Sequence, residues 1–393
     1  MKLRHRLLVA MLLAPTLLSA QAASPAPKPA SPAPAASGGS YPVMSTAARN
    51  RAKQLYGMFA SSQTTQLFAA FSPDMKKGTS AAKLANTEKE VATQAGHESK
   101  ILGENFVPDL LYKRTVYTRF SEFTKAKDPL YTVIMVNEQG QVAFMQFRPS
   151  PPPPAGHFDD YKATTKLRLP FTGEWFVYDG GRSVYQNSDA YRDTDRFSIS
   201  FTVLKDSQAF SGDGTKNEQF YCFGQPVAAP ADGTVVMVNG TYADNLPGRA
   251  EQVMPFGNRV MIYHGHQEYS LLLHLKQGSI KVKSGDQVKQ GDVVAECGNS
   301  GNSPAPHLEY RLQNSKGRPS FPFTLPAEFT DYVADGKPET SGEPVRGQFV
   351  RNGTETAAPP PGGKVEHPSD QLRQGTTSVV PLGAVFLVML RGL

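Results

Sequence analysis

Phe256–Leu312 reads FGNRVMIYHGHQEYSLLLHLKQGSIKVKSGDQVKQGDVVAECGNSGNSPAPHLEYRL. Short β-branched and aromatic runs alternate there with Gly, Asn, Ser and Asp, the pattern of consecutive antiparallel strands joined by tight turns. His274 follows Leu272 at a period of two, and His307 stands in the same relation to Glu309, so strands in both segments bring the two histidines to one cleft. Leu273, Leu275, Leu308 and Tyr310 are expected to fill the opposite face.

Within this stretch GNRVMIYHG, YSLLLHL, VKSGDQVKQGDVVAECGNSGN and PHLEY follow one another, with FGQPVAAPADGTVVMV (Phe223–Val238) upstream. In that order they resemble the core of the lysostaphin-type (LytM-type) zinc metallopeptidases, which cut peptide cross-links in bacterial peptidoglycan. The resemblance implies an all-β, mainly antiparallel metallopeptidase-like domain. In that family the terminal motif is His-x-His, whose first histidine assists catalysis and whose second binds zinc; here it reads His307-Leu308-Glu309. The resemblance places His274 and His307 at the catalytic positions. The other two zinc ligands of the family, a His and an Asp, match the stretch NSDAYRDTDRFSISF (Asn187–Phe201), which puts Asp189 at the His position and Ser200 at the Asp position, with Asp195 as the alternative.

A hydrolytic zinc site needs three protein ligands and an open position for a water whose pKa falls to about 7. Serine is a poor neutral ligand, and Asp189 and Glu309 are hard oxygen donors. The expectation is a degenerate site that binds zinc weakly or not at all and does not catalyse. The alternative is a rewired, oxygen-rich site in which Asp189, Glu309 and one retained histidine hold manganese, calcium or weak zinc. Three functions follow. The first is an exported protein that binds peptidoglycan peptides or regulates a cell-wall hydrolase. The second is an active endopeptidase with recruited metal, and the third an envelope scaffold that works through its N-terminal domain.

The 393 residues, with 39% hydrophobic, suffice for two domains plus tails, and 32 prolines and 34 glycines call for long connectors. Lys2, Arg4, His5 and Arg6 precede an apolar run, Leu7–Leu18, and Ala20-Gln21-Ala22, so residues 1–22 read as a secretory signal peptide and the protein as periplasmic or extracellular. Cleavage there removes three basic residues and no acid, lowering the net charge from +6 to +3, and no basic patch interleaved with aromatics points to nucleic acid. In an oxidising compartment Cys222 and Cys297 are either a disulfide or two buried thiols.

Residues 23–43 form an Ala/Pro/Ser linker. From Met44, Ala47, Ala48, Ala52, Leu55, Met58 and Phe59 recur at helical spacing, and Leu67, Phe68 and Phe71 continue that surface to Ser72-Pro73. A second helix is expected from Ser80 to Ala95, followed by strands in LLYKRTVYTRFSEF, PLYTVIMVNEQG and QVAFMQFRP, the last two joined by a turn at Glu138-Gln139-Gly140. Residues 44–149 therefore read as a small α+β domain, similar to cystatin-like or cone-shaped domains ahead of some envelope hydrolases. Residues 150–157 are a proline-rich hinge, and 158–350 the metallopeptidase-like domain, with strands expected in KATTKLRLPFTGEWFVYDGG. Residues 351–393 are a low-complexity tail whose apolar run, Val379–Leu390, is too short to span a bilayer and could at most touch a membrane surface.

Overall fold

The computed structural model describes residues 43–150, 153–317 and 322–353. The expected signal peptide, nearly all of the expected linker and tail, and part of the expected hinge lie outside the described residues. Four helices come first: α1 (Thr46–Ala60), α2 (Thr64–Ala69), α3 (Pro73–Gly78) and α4 (Ala81–Gln94). Ser45, Ser72 and Ser80 cap α1, α3 and α4, each hydroxyl accepting from the backbone N–H three residues on. Sequence periodicity indicated two helices. The apolar surface is instead broken at Ser62, which has φ of 52°, and Pro73 opens a further helix at its first turn, where its missing N–H does no harm.

Strands β1 (Glu98–Pro108), β2 (Arg114–Phe123), β3 (Leu130–Asn137) and β4 (Val142–Pro149) form an antiparallel meander in that order. The expected strands are β2 to β4. The edge strand β1 was not foreseen, because its Glu, Lys, Gly and Asn residues blur the alternation. One face of the sheet packs on the helices through Leu55, Tyr56, Phe59, Leu67, Tyr117 and Ile134. The other face, through Val107, Val116, Phe120, Tyr131 and Val133, joins Phe176 and Phe349 of the second sheet in one apolar cluster.

That second sheet contains β5 (Trp175–Asp179), β6 (Ile199–Thr202), β8 (Gly233–Asn239), β9 (Asn258–Tyr263), β10 (Tyr269–Leu275), β11 (Gln287–Val288), β13 (Leu308–Gln313), β14 (Thr324–Leu325), β15 (Phe329–Ala334), β16 (Lys337–Gly342) and β17 (Phe349–Asn352). Its spatial order is β11-β8-β9-β10-β13-β6-β5-β17-β15-β16, with β14 beside β13. A two-stranded ribbon pairs β7 (Pro226–Ala228) with β12 (Val293–Glu296). Every pairing between these named strands is antiparallel. The main core gathers Leu272, Leu275, Leu308, Tyr310, Phe201, Val260 and Trp175. Of the strands expected in KATTKLRLPFTGEWFVYDGG only β5 forms; Leu167, Leu169 and Phe171 enter the same core from irregular backbone. Cys222 and Cys297 form a disulfide, and no helix among the described residues is long and apolar enough to cross a membrane.

A buried acid marks the junction of the two parts. Asp109, just beyond β1, accepts from the Leu111 N–H, while its Oδ2 has no hydrogen-bond partner. Burial pushes its carboxyl up from 3.8 to about 6. Between about pH 4 and pH 6 the folded protein therefore keeps a proton that the unfolded chain releases, and stability falls as pH rises through that window. Asp109→Asn removes this slope. Its stability relative to wild type is expected to rise by on the order of 2 kcal/mol between pH 4 and pH 6.5 in urea titrations; a constant difference would count against the burial argument.

Candidate functional site

The site is built where β10 and β13 run side by side, with Leu273 opposite Glu309 and Leu271 opposite Arg311. Plain alternation along β10 would turn Leu273 and Leu275 to the same face. The pairing of β10 with β9 slips between Leu272 and Leu275, and His274 takes a φ of 61° in that bulge. Leu272 and Leu275 thus both enter the main core, whereas Leu273 packs with Leu271 and Met261 on the other face. The expected common face for Leu273, Leu275, Leu308 and Tyr310 is corrected accordingly. A left-handed conformation is unfavourable for a residue with a Cβ and persists only where its surroundings enforce it. Here those surroundings aim the imidazole at Glu309.

His274 Nδ1 lies 2.8 Å from the Ser300 carbonyl, and Nε2 lies 3.0 Å from Glu309 Oε2. Both partners are acceptors, so each ring nitrogen of His274 is turned to an oxygen. His307 is centred 4.8 Å from His274 and donates from Nδ1 to the Ala305 carbonyl at 2.8 Å. Burial, reinforced by the neighbouring His274, pushes His307 down to about 4, so it is neutral over the physiological range.

Glu309 is the hub. Its Oε2 faces His274, and its Oε1 accepts from Arg311 Nε at 2.5 Å. Burial would raise its pKa, but Arg311 and His274 outweigh burial and hold the carboxyl well below the usual carboxylate range. Arg311, with only 10% of its side chain exposed, also donates from a terminal nitrogen to Asp195. Asp195 and Asp189 in turn share Arg192, which donates to both. Asp189 further accepts from the Ser198 hydroxyl, and burial together with the charge of Glu309 pushes it up to about 7. Ser200 stands directly across the ladder from Glu309, on β6. Five residues singled out from sequence therefore lie around one spot: His274, His307 and Glu309 side by side, Ser200 across the strand, and Asp195 through Arg311. Asp189 joins them through Arg192.

Arg311 and Arg192 are absent from the set expected from sequence, because an arginine is not a metal-ligand type. The signal for Arg311 was present: it lies two residues beyond Glu309, so the alternation that faces Glu309 to the cleft faces Arg311 there too. Arg192 sits in a turn whose sequence carries no comparable period.

Among the described residues, His274, His307 and Glu309 are the group of three metal-capable side chains, with ligand atoms within 4.8 Å of one another. As arranged, these donors do not fit a zinc ion. Both oxygens of Glu309 are engaged, one by a guanidinium that cannot lose its charge, and both nitrogens of His274 face acceptors. Only the Nε2 edge of His307 is left without a hydrogen bond among these ring and carboxylate atoms. A divalent ion at Glu309 would also meet the positive charge of Arg311 at close range.

Comparison with known proteins bears on the same segment. The sequence profile of peptidase family M23 matches residues 218–322. An uncharacterized metalloprotease of Haemophilus influenzae is 38% identical over 102 residues, which is 26% of this chain and 18% of that protein. Peptidoglycan DD-endopeptidase ShyA of Vibrio cholerae is 38% identical over 97 residues, 24% of this chain and 19% of its own length. The chain thus spans less than a fifth of either relative. Among solved structures, the catalytic domain of lysostaphin from Staphylococcus simulans matches at 18% identity and a TM-score of 0.23, covering 39% of this chain and 88% of that one. A glycyl-glycine endopeptidase of the LytM type from Ruminococcus gnavus matches at 17% identity and a TM-score of 0.27, covering 41% and 57%.

Proposed function

We propose, from a chain whose residues 218–322 are an M23 peptidase domain, that this protein is an exported, envelope-located binder of peptidoglycan peptides that does not hydrolyse them. The observation that carries this reading is the ion-paired Arg311, which holds Glu309 and Asp195 together where the family has a metal ligand. Bound zinc supplies, in this family, a Lewis acid that lowers the pKa of an attacking water to about 7. A guanidinium neutralises carboxylates equally well but has no open coordination position, so it preserves the charge balance of the site without its chemistry. His274 and His307 then serve as hydrogen-bonding groups of a groove. Peptidoglycan as the ligand is carried over from the M23 domain and from the name of the Vibrio cholerae relative. Leu7–Leu18 and Ala20-Gln21-Ala22 support export. We take residues 44–149 as a separate module that shares an apolar cluster with Phe176 and Phe349 of the second sheet.

A second reading has one observation in its favour. The close grouping of His274, His307 and Glu309 allows an endopeptidase that recruits metal after Glu309 releases Arg311. The two readings part in a single assay. Full-length protein incubated with purified sacculi, with and without added zinc or manganese, is expected to sediment with the sacculi and release no soluble muropeptides. Metal-dependent release that is lost in His307→Ala would establish the second reading instead.

A further inference from the structure

The segment from Leu246 to Phe256 forms a rim beside the site and exposes apolar side chains although it is pinned in place. Glu251 N–H donates to the Gly301 carbonyl, Gly248 N–H to the Pro304 carbonyl, and Asn302 N–H to the Pro255 carbonyl. Leu246 is nevertheless 61% exposed, Val253 81% and Phe256 39%. A tied-down loop that keeps large apolar groups in water presents a surface for an apolar partner to cover.

Two guanidiniums lie over the Phe256 ring, Arg311 at 5.3 Å and Arg259 at 5.8 Å from its centroid. The two arginines differ in one respect. Arg311, like Arg119, Arg182, Arg192 and Arg196, is paired with an acid. Arg259 is half-buried and makes a hydrogen bond to the Gly257 carbonyl, but no carboxylate among the described residues meets it. Alternation along β9 places it with Met261, on the face opposite the main core and the same face as Leu273. Burial presses its pKa down, the sign of a charge short of compensation. Most of its five donors therefore point to no fixed partner, next to an aromatic ring that is partly exposed and that Arg311 also overlies.

We infer that Arg259 and Phe256 form an anchoring subsite for a carboxylate of the bound peptide, with the exposed Val253 and Leu246 covering the adjoining apolar part of that peptide. This rests on the reading of the groove as a binder of wall peptides. It adds that recognition requires a free carboxylate, such as the chain terminus or acidic residue of an uncrosslinked stem peptide. A planar guanidinium backed by an aromatic ring matches a carboxylate by two parallel N–H donors, which an amide cannot replace.

The test is fluorescence anisotropy of the full chain with a dye-labelled, uncrosslinked stem peptide and with the same peptide after amidation of its carboxylates. Amidation is expected to weaken binding to wild type by roughly tenfold or more. Arg259→Gln should weaken the acidic peptide by a similar factor and bring it level with the amidated one, with unchanged thermal unfolding, and Arg259→Lys should recover part of the loss. If wild type binds both peptides equally, or Arg259→Gln still discriminates between them, the carboxylate subsite is overturned while the binding groove stands. If wild type binds neither peptide, or cleaves them, the reading of the groove itself falls. Binding confined to an acidic segment of a protein, with none to stem peptides, overturns the assignment of the ligand.

Discussion

Arg311→Met is expected to destabilise the protein by about 3–5 kcal/mol, the range for removing one partner of a buried ion pair. The size follows from what is left behind. Glu309 and Asp195 would retain their charges in a site where both side chains are at most 16% exposed, and the apolar replacement donates no hydrogen bond to either. The pH dependence has a definite sign. In wild type the folded pKa of Glu309 is depressed, so its ionised form contributes stability above the ordinary carboxylate range and loses it as pH falls below that range. Without Arg311 only His274 still opposes burial, so that depression shrinks and Glu309 protonates more readily, and the gap between variant and wild type narrows as pH falls toward 4. Urea unfolding at neutral pH and near pH 4 measures both quantities. Arg311→Lys keeps a charge but loses the forked donor geometry, and is expected to lie between the two. A loss below about 1 kcal/mol at neutral pH would mean that the network behaves as an exposed surface ion pair.

The second large effect is expected from Cys222→Ala combined with Cys297→Ala. The bridge joins residues 75 apart in sequence, and closing a loop of that length restricts the unfolded chain by about 4 kcal/mol in the chain-entropy account. Both cysteines are fully buried, so two small voids add to the loss. The bridge also bears on the site. Cys297 forms a β-bridge with Leu275, the residue after His274, and its carbonyl accepts from the Gly224 N–H. Removing the disulfide takes away the covalent tie between Cys222 and the residue that bridges to Leu275, and so loosens the support of the backbone that holds His274 in its left-handed conformation. Peptide affinity should therefore fall together with stability. Equal unfolding midpoints for the double variant and oxidised wild type would contradict the first part, and unchanged affinity the second.

How far the sequence could be read depended on how local the deciding physics was. The strands of Phe256–Leu312 are legible because Gly and Asn punctuation separates β-branched runs. His307 and Glu309 reach the cleft by simple alternation. His274 reaches it for a different reason: alternation alone assigns Leu273 to the wrong face, and nothing in LLLHL announces a bulge at a non-glycine residue. That conformation is imposed by the surrounding fold, through Ser300 on one side and Glu309 on the other. The ion pairs of Arg311 were hidden for another reason. Its partner Asp195 is 116 residues away in sequence, and only the pairing of β13 with β6 brings their segments together. In the N-terminal part, apolar periodicity located the helical surface but not its breaks, since Ser62 and Pro73 act through backbone geometry. The edge strand β1 was masked by its own polar residues, which suit a strand with one unpaired side.

Zinc content decides whether Arg311 stands in for the metal. Full-length protein purified without chelator, analysed for metal and then titrated calorimetrically with zinc near neutral pH, is expected to hold far less than one zinc per chain and to show no saturable binding. One zinc per chain that survives gel filtration and is lost in Glu309→Ala would contradict it, because that ion could bind only after displacing the guanidinium from Glu309.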